Sequence, residues 1–226
     1  MALQERAVRT RHSILVAAAA VFAEVGYEAA TISEIHQRAN VTKGALYFHF
    51  SSKEELAQEV LADQLGSMPQ PAPQELALQE GLDATFLLAH MLTLGDPLVR
   101  GSIRLTVEQG SPQDGLDRRI PMAGWIDHNV ALLDRAKTNG EVLPHVDVQD
   151  TARVFVAAFT GAQILSKIMT GHADLAERVA SVERHLMSSI AVPAVLIQLD
   201  MAPDRGARVY EQAMKLRQEA EALRVD

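Results

Sequence analysis

The stretch GYEAATISEIHQRANVTKGALYFHFSSKEELA, residues 26–57, decides the fold of this chain. Thr31 precedes Glu34 by three residues, the spacing of a capping box, in which the two residues satisfy free backbone N–H groups at the start of a helix. The apolar residues that follow recur at helical spacing. This pattern predicts a short helix over residues 31–39.

A second short helix follows after a tight turn. Asn40 tolerates the left-handed backbone conformation that such a turn requires, and Thr42 can cap a helix over residues 42–49. Two short helices joined in this way predict a helix-turn-helix, whose second helix enters the major groove of DNA and meets the base edges with its first residues.

The residue types of this second helix suit contact with DNA. The Lys43 ammonium can donate to O6 and N7 of guanine. Gly44 lowers helix stability by about 1 kcal/mol relative to Ala, a cost that close approach to DNA would explain. We expect hydroxyl, phenol and imidazole groups to bind phosphates, together with Lys53 at the positive end of the next helix. The predicted DNA-binding residues are Thr31, Thr42, Lys43, Gly44, Ala45, Tyr47, His49 and Lys53.

Helical periodicity extends to the N-terminal side of this stretch. Residues 14–25 carry one apolar stripe, and Gly26 stands where a helix stop is expected. We interpret Leu46, Phe48 and Phe50 as the residues that pack against this stripe and against the apolar face of the first short helix.

The rest of the chain also has helical periodicity. Ser51 with Glu54 predicts a capping box for a fourth helix that ends near Gly66, before a proline-rich break over residues 67–74. No stretch alternates apolar and polar residues over the length of a strand, and the predicted fold class is all-α. Further helices are predicted over residues 75–94, 97–109, 121–138, 150–170, 174–200 and 205–224.

The charge of the chain is unevenly distributed. The 226 residues carry a net charge of −8, which opposes non-specific coating of nucleic acid. Residues 1–53 contain six Lys and Arg against four Glu, a net +2, whereas the remainder contains 15 against 25 acidic residues, a net −10. A small basic region on an acidic body is consistent with two separate functions.

Composition narrows the remaining function classes. The chain has no cysteine, which excludes disulfides, thiol catalysis and cysteine-based zinc sites. It has no G-x-S-x-G, H-E-x-x-H or phosphate-loop motif, so we expect neither an enzyme nor a bound metal or cofactor. The longest apolar run, residues 14–23, is about half of a membrane span, and no signal peptide is evident. We expect a cytoplasmic protein that does not enter a membrane.

From about Arg6 to Val60, the sequence resembles the DNA-binding signature of the TetR family of transcriptional repressors. The resemblance implies an all-α protein with a three-helix DNA-binding domain over residues 1–52 and a larger ligand-binding and dimerisation domain over residues 53–226. It also implies a homodimer on double-stranded operator DNA. The matching positions are Gly26, Tyr27, Thr31, Ile32, Ile35, Ala39, Val41, Lys43, Gly44, Leu46, Tyr47, Phe50, Lys53 and Leu56.

Residues 42–57, together with a single central tryptophan, resemble the γ-butyrolactone receptor branch of that family. This implies a butyrolactone or butenolide-like inducer, a pocket role for Trp125, and control of antibiotic or secondary-metabolite genes. A TetR-type sensor of a drug or metabolite, controlling an efflux or catabolic gene, is the alternative. The candidate ligand-binding residues are Gln64, Phe86, Leu88, Trp125, Phe159, Thr160 and Ile164.

Two C-terminal helices are candidates for the dimer interface. Residues 150–170 are apolar nearly all round, so this helix must be buried on every side. The next helix carries a stripe at near-heptad spacing, which suits helix pairing. These patterns predict a four-helix interface between two subunits, with one large monomeric core as the alternative. The stripe consists of Leu175, Val179, Val182, Leu186 and Ile190.

Overall fold

A computed structural model describes residues 2–64, 66, 68–108 and 114–222 of the chain. Within these ranges the only extended pairing is an isolated antiparallel bridge between Val142 and Ala191, so the predicted all-α class is confirmed. The helices are α1 (Ala2–Ala29), α2 (Ile32–Arg38), α3 (Lys43–His49), α4 (Lys53–Ala62), α5 (Ala77–Leu94), α6 (Pro97–Val107), α7 (Arg119–Thr138), α8 (Val148–Thr170), α9 (Leu175–Ile190), α10 (Pro193–Leu196) and α11 (Arg205–Ala222).

The chain forms two compact units. The first combines Met1–Ser67 with Gly95–Ala123, and the second combines Met68–Leu94 with Gly124–Asp226. By packing, therefore, α4 and α6 belong with the helix-turn-helix. The domain boundary predicted between residues 52 and 53 separates DNA binding from ligand binding and dimerisation, and it stays a prediction.

In the first unit, α1 packs closely against α6. Gly101 makes this approach possible, because a Cβ atom there would overlap the backbone of Ala19. At the end of α1 the backbone breaks at Gly26, with φ of 81°, as the sequence predicted. Side chains at the end of α6 secure this break. Arg104 donates to the carbonyl oxygen of Ala23 at 2.8 Å, and Glu108, the residue that follows α6, accepts from the Tyr27 N–H at 3.2 Å.

The cap of α4 differs from the predicted one. Ser52, not Ser51, is the capping residue, and its hydroxyl oxygen accepts from the Glu55 N–H at 3.0 Å. The carboxylate of Glu55, rather than that of Glu54, accepts from the Ser51 N–H at 2.6 Å. The prediction was therefore displaced by one residue. The helix ends at Ala62 instead of near Gly66.

In the second unit, α5 packs against α9 and α11. The buried Glu141 carboxylate accepts from the N–H groups of Ala77 and Leu78 at 3.0 and 2.9 Å, and so caps the start of α5. The helix predicted over residues 174–200 is divided, because α9 ends at Ile190 and Pro193 begins α10. A proline lacks the N–H that helix continuation requires, and its ring clashes with the preceding turn.

Among the described residues, two helices have the length and composition of a membrane span, which the longest apolar run did not indicate. They are Arg6–Ala29 within α1 and the whole of α8. Half of the α1 segment is buried inside the protein, whereas only 22% of the α8 segment is buried. A large apolar surface of α8 is thus left uncovered by its own chain.

Candidate nucleic-acid interface and ligand region

The start of α2 is held by the predicted capping box. The Thr31 hydroxyl oxygen accepts from the Glu34 N–H at 3.2 Å, and the Glu34 carboxylate accepts from the Thr31 N–H at 3.0 Å. The Thr31 hydroxyl also donates to that carboxylate at 2.8 Å. Its hydrogen therefore has a partner within the cap, and its predicted contact with DNA would use a water molecule or replace this bond.

The turn between α2 and α3 has the predicted geometry. Asn40 adopts φ of 53°, in the left-handed region. The Val41 N–H donates to the carbonyl oxygen of His36 at 3.0 Å, and the Thr42 hydroxyl oxygen accepts from the Ala45 N–H at 3.1 Å. Local hydrogen bonds therefore fix the relative orientation of α2 and α3.

The outer face of α3 carries the groups that were predicted to meet DNA. Thr42, Lys43 and Gly44 are exposed, and Tyr47 is 45% exposed. The Lys43 Nζ atom lies 5.9 Å from the centre of the Tyr47 ring. Ala45 and His49 are half-buried beside this face. The sequence pattern and the structure thus assign the same polar groups to one surface.

The prediction that Phe48 lies in the core is wrong. Leu46 and Phe50 are buried as expected, but Phe48 is 81% exposed. Leu46 and Phe50 are four residues apart and share one face of the helix. Phe48 lies halfway between them in sequence, so its side chain points to the opposite side, where its ring meets that of His49 edge-on at 5.1 Å.

Gly44 has no packing role inside the protein. A Cβ atom built there would meet only the Thr42 hydroxyl oxygen, at 4.0 Å. The glycine of α6 is different, because a Cβ at Gly101 would overlap neighbouring backbone. Packing within the described part of the chain therefore does not require glycine at position 44.

Lys53 is engaged within the fold instead of facing outward. Its Nζ atom donates to the carbonyl oxygens of Tyr27, Ala30 and Glu28 at 2.9, 3.1 and 3.4 Å, and it lies 4.4 Å from the centre of the Tyr27 ring. These bonds use its three donors. In this structure Lys53 fastens the start of α4 to the chain around the end of α1. A phosphate would have to replace one of these bonds, and the predicted phosphate contact stays a prediction.

Other cations of the first unit are also paired. Arg38 binds Glu24 with both nitrogen atoms, at 2.6 and 2.7 Å, and Arg11 pairs with Glu59 at 2.9 Å. Lys43 on α3, together with Arg6 and Arg9 on α1, is exposed. None of these three forms an ion pair with an acidic side chain that the structure describes.

The predicted ligand-binding residues are distributed over both units. Gln64 is buried in the first unit. The other six belong to the second, where Phe86, Leu88 and Trp125 are buried. Phe159 is half-buried, and Thr160 donates to the carbonyl oxygen of Val156 in its own helix at 2.7 Å. Ile164 is 36% exposed on α8, and its role as a pocket wall stays a prediction.

Two buried polar atoms of α7 have no hydrogen-bond partner among the residues that the structure describes. They are Nε1 of Trp125 and Nε2 of His128. The two rings meet edge-on, with their centres 5.7 Å apart. His128 had no predicted role, because a lone histidine in a helix is not distinctive in sequence.

The second unit also contains a buried carboxyl group that the sequence did not reveal. Glu183 of α9 is 4% exposed, and its carboxylate forms no salt bridge or hydrogen bond with the part of the chain that the structure describes. Burial raises its pKa from 4.5 to about 7. Among residues 2–64, 66, 68–108 and 114–222, no cluster of three or more acidic or histidine side chains is arranged to hold a metal ion.

Comparison with known proteins agrees with this geometry. Residues 14–60 match the family described as "Bacterial regulatory proteins, tetR family". The chain is 40% identical to the A-factor receptor protein of Streptomyces griseus, over 97% of this chain and 78% of that protein. Most of the chain is therefore aligned, well beyond the helix-turn-helix.

Solved structures extend the likeness to the whole fold. TylP, a TetR regulator from Streptomyces fradiae, is 61% identical with a TM-score of 0.89, and the alignment covers 92% of this chain and 99% of that one. A γ-butyrolactone receptor described as ArpA-like is 30% identical with a TM-score of 0.64, covering 95% and 99%. The match to the tetR family and to the A-factor receptor protein identifies this chain as a DNA-binding regulator and not an enzyme. The chain belongs to the TetR family of bacterial transcriptional regulators, in the branch of the γ-butyrolactone receptors.

Proposed function

We propose that the protein is a ligand-responsive repressor that acts in the cytoplasm as a homodimer on palindromic operator DNA. The observation that carries this proposal is α3, which presents Lys43, Gly44 and Tyr47 on one open face. Thr42 caps this helix, and its first residues would meet base edges in the major groove. Because one short helix binds weakly, a twofold dimer would engage two half-sites.

The character of α8 supports a homodimer. Its buried residues within the chain are small or polar and include Gln163 and Ser166, whereas large apolar residues are exposed, among them Ile168 at 74%. In a monomer, a helix would bury its large apolar residues and expose its small and polar ones. Gly161 also lies open, since a Cβ there would meet nothing within 4 Å. We assign this face to a second copy of the chain.

The contribution of α9 to this interface is smaller than its stripe suggested. Leu175, Val179 and Ile190 are buried inside their own unit, and only Val182 and Leu186 of the stripe are half-buried. We therefore propose an interface centred on α8, with α9 at its border.

The proposed inducer is a small diffusible lactone of the butyrolactone or butenolide class. Its support is the buried Trp125 side chain and the likeness to proteins described as receptors of such molecules. Release of DNA requires the ligand to bind the released state more tightly than the DNA-bound state. We propose that α4, which packs on α1 and α6, transmits this change to the recognition helix. Antibiotic or secondary-metabolite genes are the proposed targets.

The charge distribution predicts few phosphate contacts. If Lys43, Arg6 and Arg9 of each subunit are the only unpaired cations that face DNA, a dimer neutralises about six phosphates. A plot of the logarithm of the binding constant against the logarithm of the salt concentration should then have a slope of about −5. A slope beyond about −8 would mean that the acidic body also contacts DNA.

A mobility shift tests the assignment of the two regions. The probe is the DNA upstream of the protein's own gene, and the releasing agents are synthetic γ-butyrolactones and butenolides of increasing chain length. Lys43→Ala should abolish the specific shift and preserve lactone binding, whereas Trp125→Ala should preserve the shift and prevent release. Lys215→Ala, an exposed lysine on α11, is the matched control. Loss of both functions in either variant would contradict the assignment.

Glu183 favours one alternative, a sensor of cationic drugs. A buried carboxyl group without a basic partner is a binding group for an organic cation. Tetraphenylphosphonium distinguishes the two ligand classes. If this cation releases the DNA and lactones do not, and Glu183→Gln removes the response, the drug-sensor function is the correct one.

A further inference from the structure

Trp125 and His128 bring two polar atoms to one side of α7. They are three residues apart, which places neighbouring side chains on the same face of a helix. Their rings touch edge-on at 5.7 Å, and both Trp125 Nε1 and His128 Nε2 are buried without a partner. The two polar groups therefore form one local site within the second unit.

Native proteins seldom leave buried polar atoms unpaired, because the lost hydrogen bonds to water are not replaced. Here the helix does not supply the missing partners. The amide side chain of Asn129, the residue after His128, donates to the Trp125 carbonyl oxygen at 2.8 Å and not to either ring. Two adjacent unpaired atoms are better explained by a group from outside the chain.

We infer that Trp125 and His128 together form a two-point receptor for a small neutral molecule that carries a carbonyl oxygen and a hydroxyl group. The inference rests on the proposed function and assigns a specificity role to His128. The indole N–H can only donate, so it requires an acceptor such as a lactone carbonyl. An imidazole nitrogen either donates or accepts according to its tautomer, and a hydroxyl group can satisfy it in both cases.

The electrostatic surroundings favour an uncharged imidazole. Burial and the guanidinium group of Arg135 lower the pKa of His128, while the carboxylate of Glu80 opposes this shift. Arg135 and Glu80 pair with each other, so neither is left as an isolated charge beside the ring. A neutral receptor suits a neutral lactone with a hydroxyl substituent.

Two synthetic γ-butyrolactones with the same alkyl chain test the inference, one with a hydroxymethyl group on the ring and the other with a methyl group in its place. Binding is followed by the fluorescence of Trp125, the one tryptophan of the chain. Loss of the hydroxyl should weaken binding to the wild-type protein roughly tenfold, the usual effect of one buried hydrogen bond. His128→Phe should bind the hydroxylated lactone roughly tenfold more weakly and should not distinguish the two compounds.

Two further variants make the result interpretable. His128→Gln keeps a donor and an acceptor and should recover part of the preference, whereas His145→Ala, an exposed histidine, should behave as wild type. If His128→Phe melts normally and keeps the full preference for the hydroxylated lactone, the role of His128 is refuted while the proposed function stands. If the wild-type protein binds neither lactone, the proposed ligand class fails, and this inference fails with it.

Discussion

Replacing Gly44 with alanine should change the stability of the fold and the affinity for DNA in different ways. Gly44 is the second residue of α3, and a Cβ atom there would touch only the Thr42 hydroxyl oxygen, at the distance of an ordinary contact, 4.0 Å. Gly44 has ordinary helical backbone geometry, with a φ outside the left-handed region. Alanine is therefore compatible with the backbone and has the higher helix propensity.

The expected effects on stability and on DNA affinity have opposite signs. Removing a helical glycine should raise the free energy of unfolding by about 0.5–1 kcal/mol, or the melting temperature by roughly 1–4 °C for a chain of this size. If α3 approaches the bases closely, the added methyl group crowds the interface at about 1–3 kcal/mol per subunit. Over two half-sites this amounts to about 2 kcal/mol or more, a loss of at least roughly 30-fold in affinity.

Thermal unfolding and operator titration by fluorescence anisotropy measure both quantities on the same sample. Gly81→Ala in α5 is the matched control, since its Cβ would lie 3.5 Å from the Leu132 side chain, an ordinary contact. It should leave DNA affinity unchanged. If Gly44→Ala binds the operator as tightly as wild type, the close approach of α3 to the bases is refuted. If Gly44→Ala is less stable than wild type, the internal space inferred around Gly44 is wrong.

Three further substitutions test the second unit. Glu183→Gln should be more stable than wild type, and the difference should depend on pH. Between pH 5 and pH 8 the difference in the free energy of unfolding should increase by roughly 2–3 kcal/mol. The burial that raises the pKa of Glu183 from 4.5 to about 7 makes its ionised form destabilise the fold as the pH rises through that window. Chemical unfolding at both pH values checks this, with the exposed Glu177→Gln as control; an equal margin at both would contradict it. Glu141→Ala should lower the free energy of unfolding by about 2–4 kcal/mol, because two N–H groups at the start of α5 lose their acceptor. Urea unfolding measures this loss, and a value below about 0.5 kcal/mol would show that water replaces the carboxylate as acceptor. Ile168 is 74% exposed in the single chain, so Ile168→Glu would place a charge in the proposed interface and should yield monomers in light scattering. Leu216→Glu on α11 is the control and should remain dimeric. A dimeric Ile168→Glu would exclude α8 as the interface.

Features that depend on neighbouring residues were predictable from the sequence. The capping box of Thr31, the turn at Asn40 and the cap at Thr42 each involve groups within a few residues of one another. Such interactions are encoded by spacing alone. The helix-turn-helix was accordingly predicted in nearly its observed form.

Features that depend on distant residues were not predictable in the same way. The position of Lys53 at a helix start predicts a phosphate contact and does not reveal its bonds to the carbonyl oxygens of Tyr27 and Ala30, more than twenty residues earlier. The Glu141 cap reaches across 64 residues to α5. The division after Ile190 is a different case, since Pro193 is a local signal that the predicted helix 174–200 did not take into account.

The most informative residues are those whose identity the isolated chain does not explain. Phe48 and Ile168 are apolar but exposed, Gly44 has space for a side chain, and Nε1 of Trp125 is buried without an acceptor. Apolar periodicity cannot separate a face that packs inside the chain from one that packs against a partner, because both have the same composition. This is why Phe48 was assigned to an interior position. Each such discrepancy on α3, α7 or α8 marks a surface where DNA, a ligand or a second subunit would supply the missing contact.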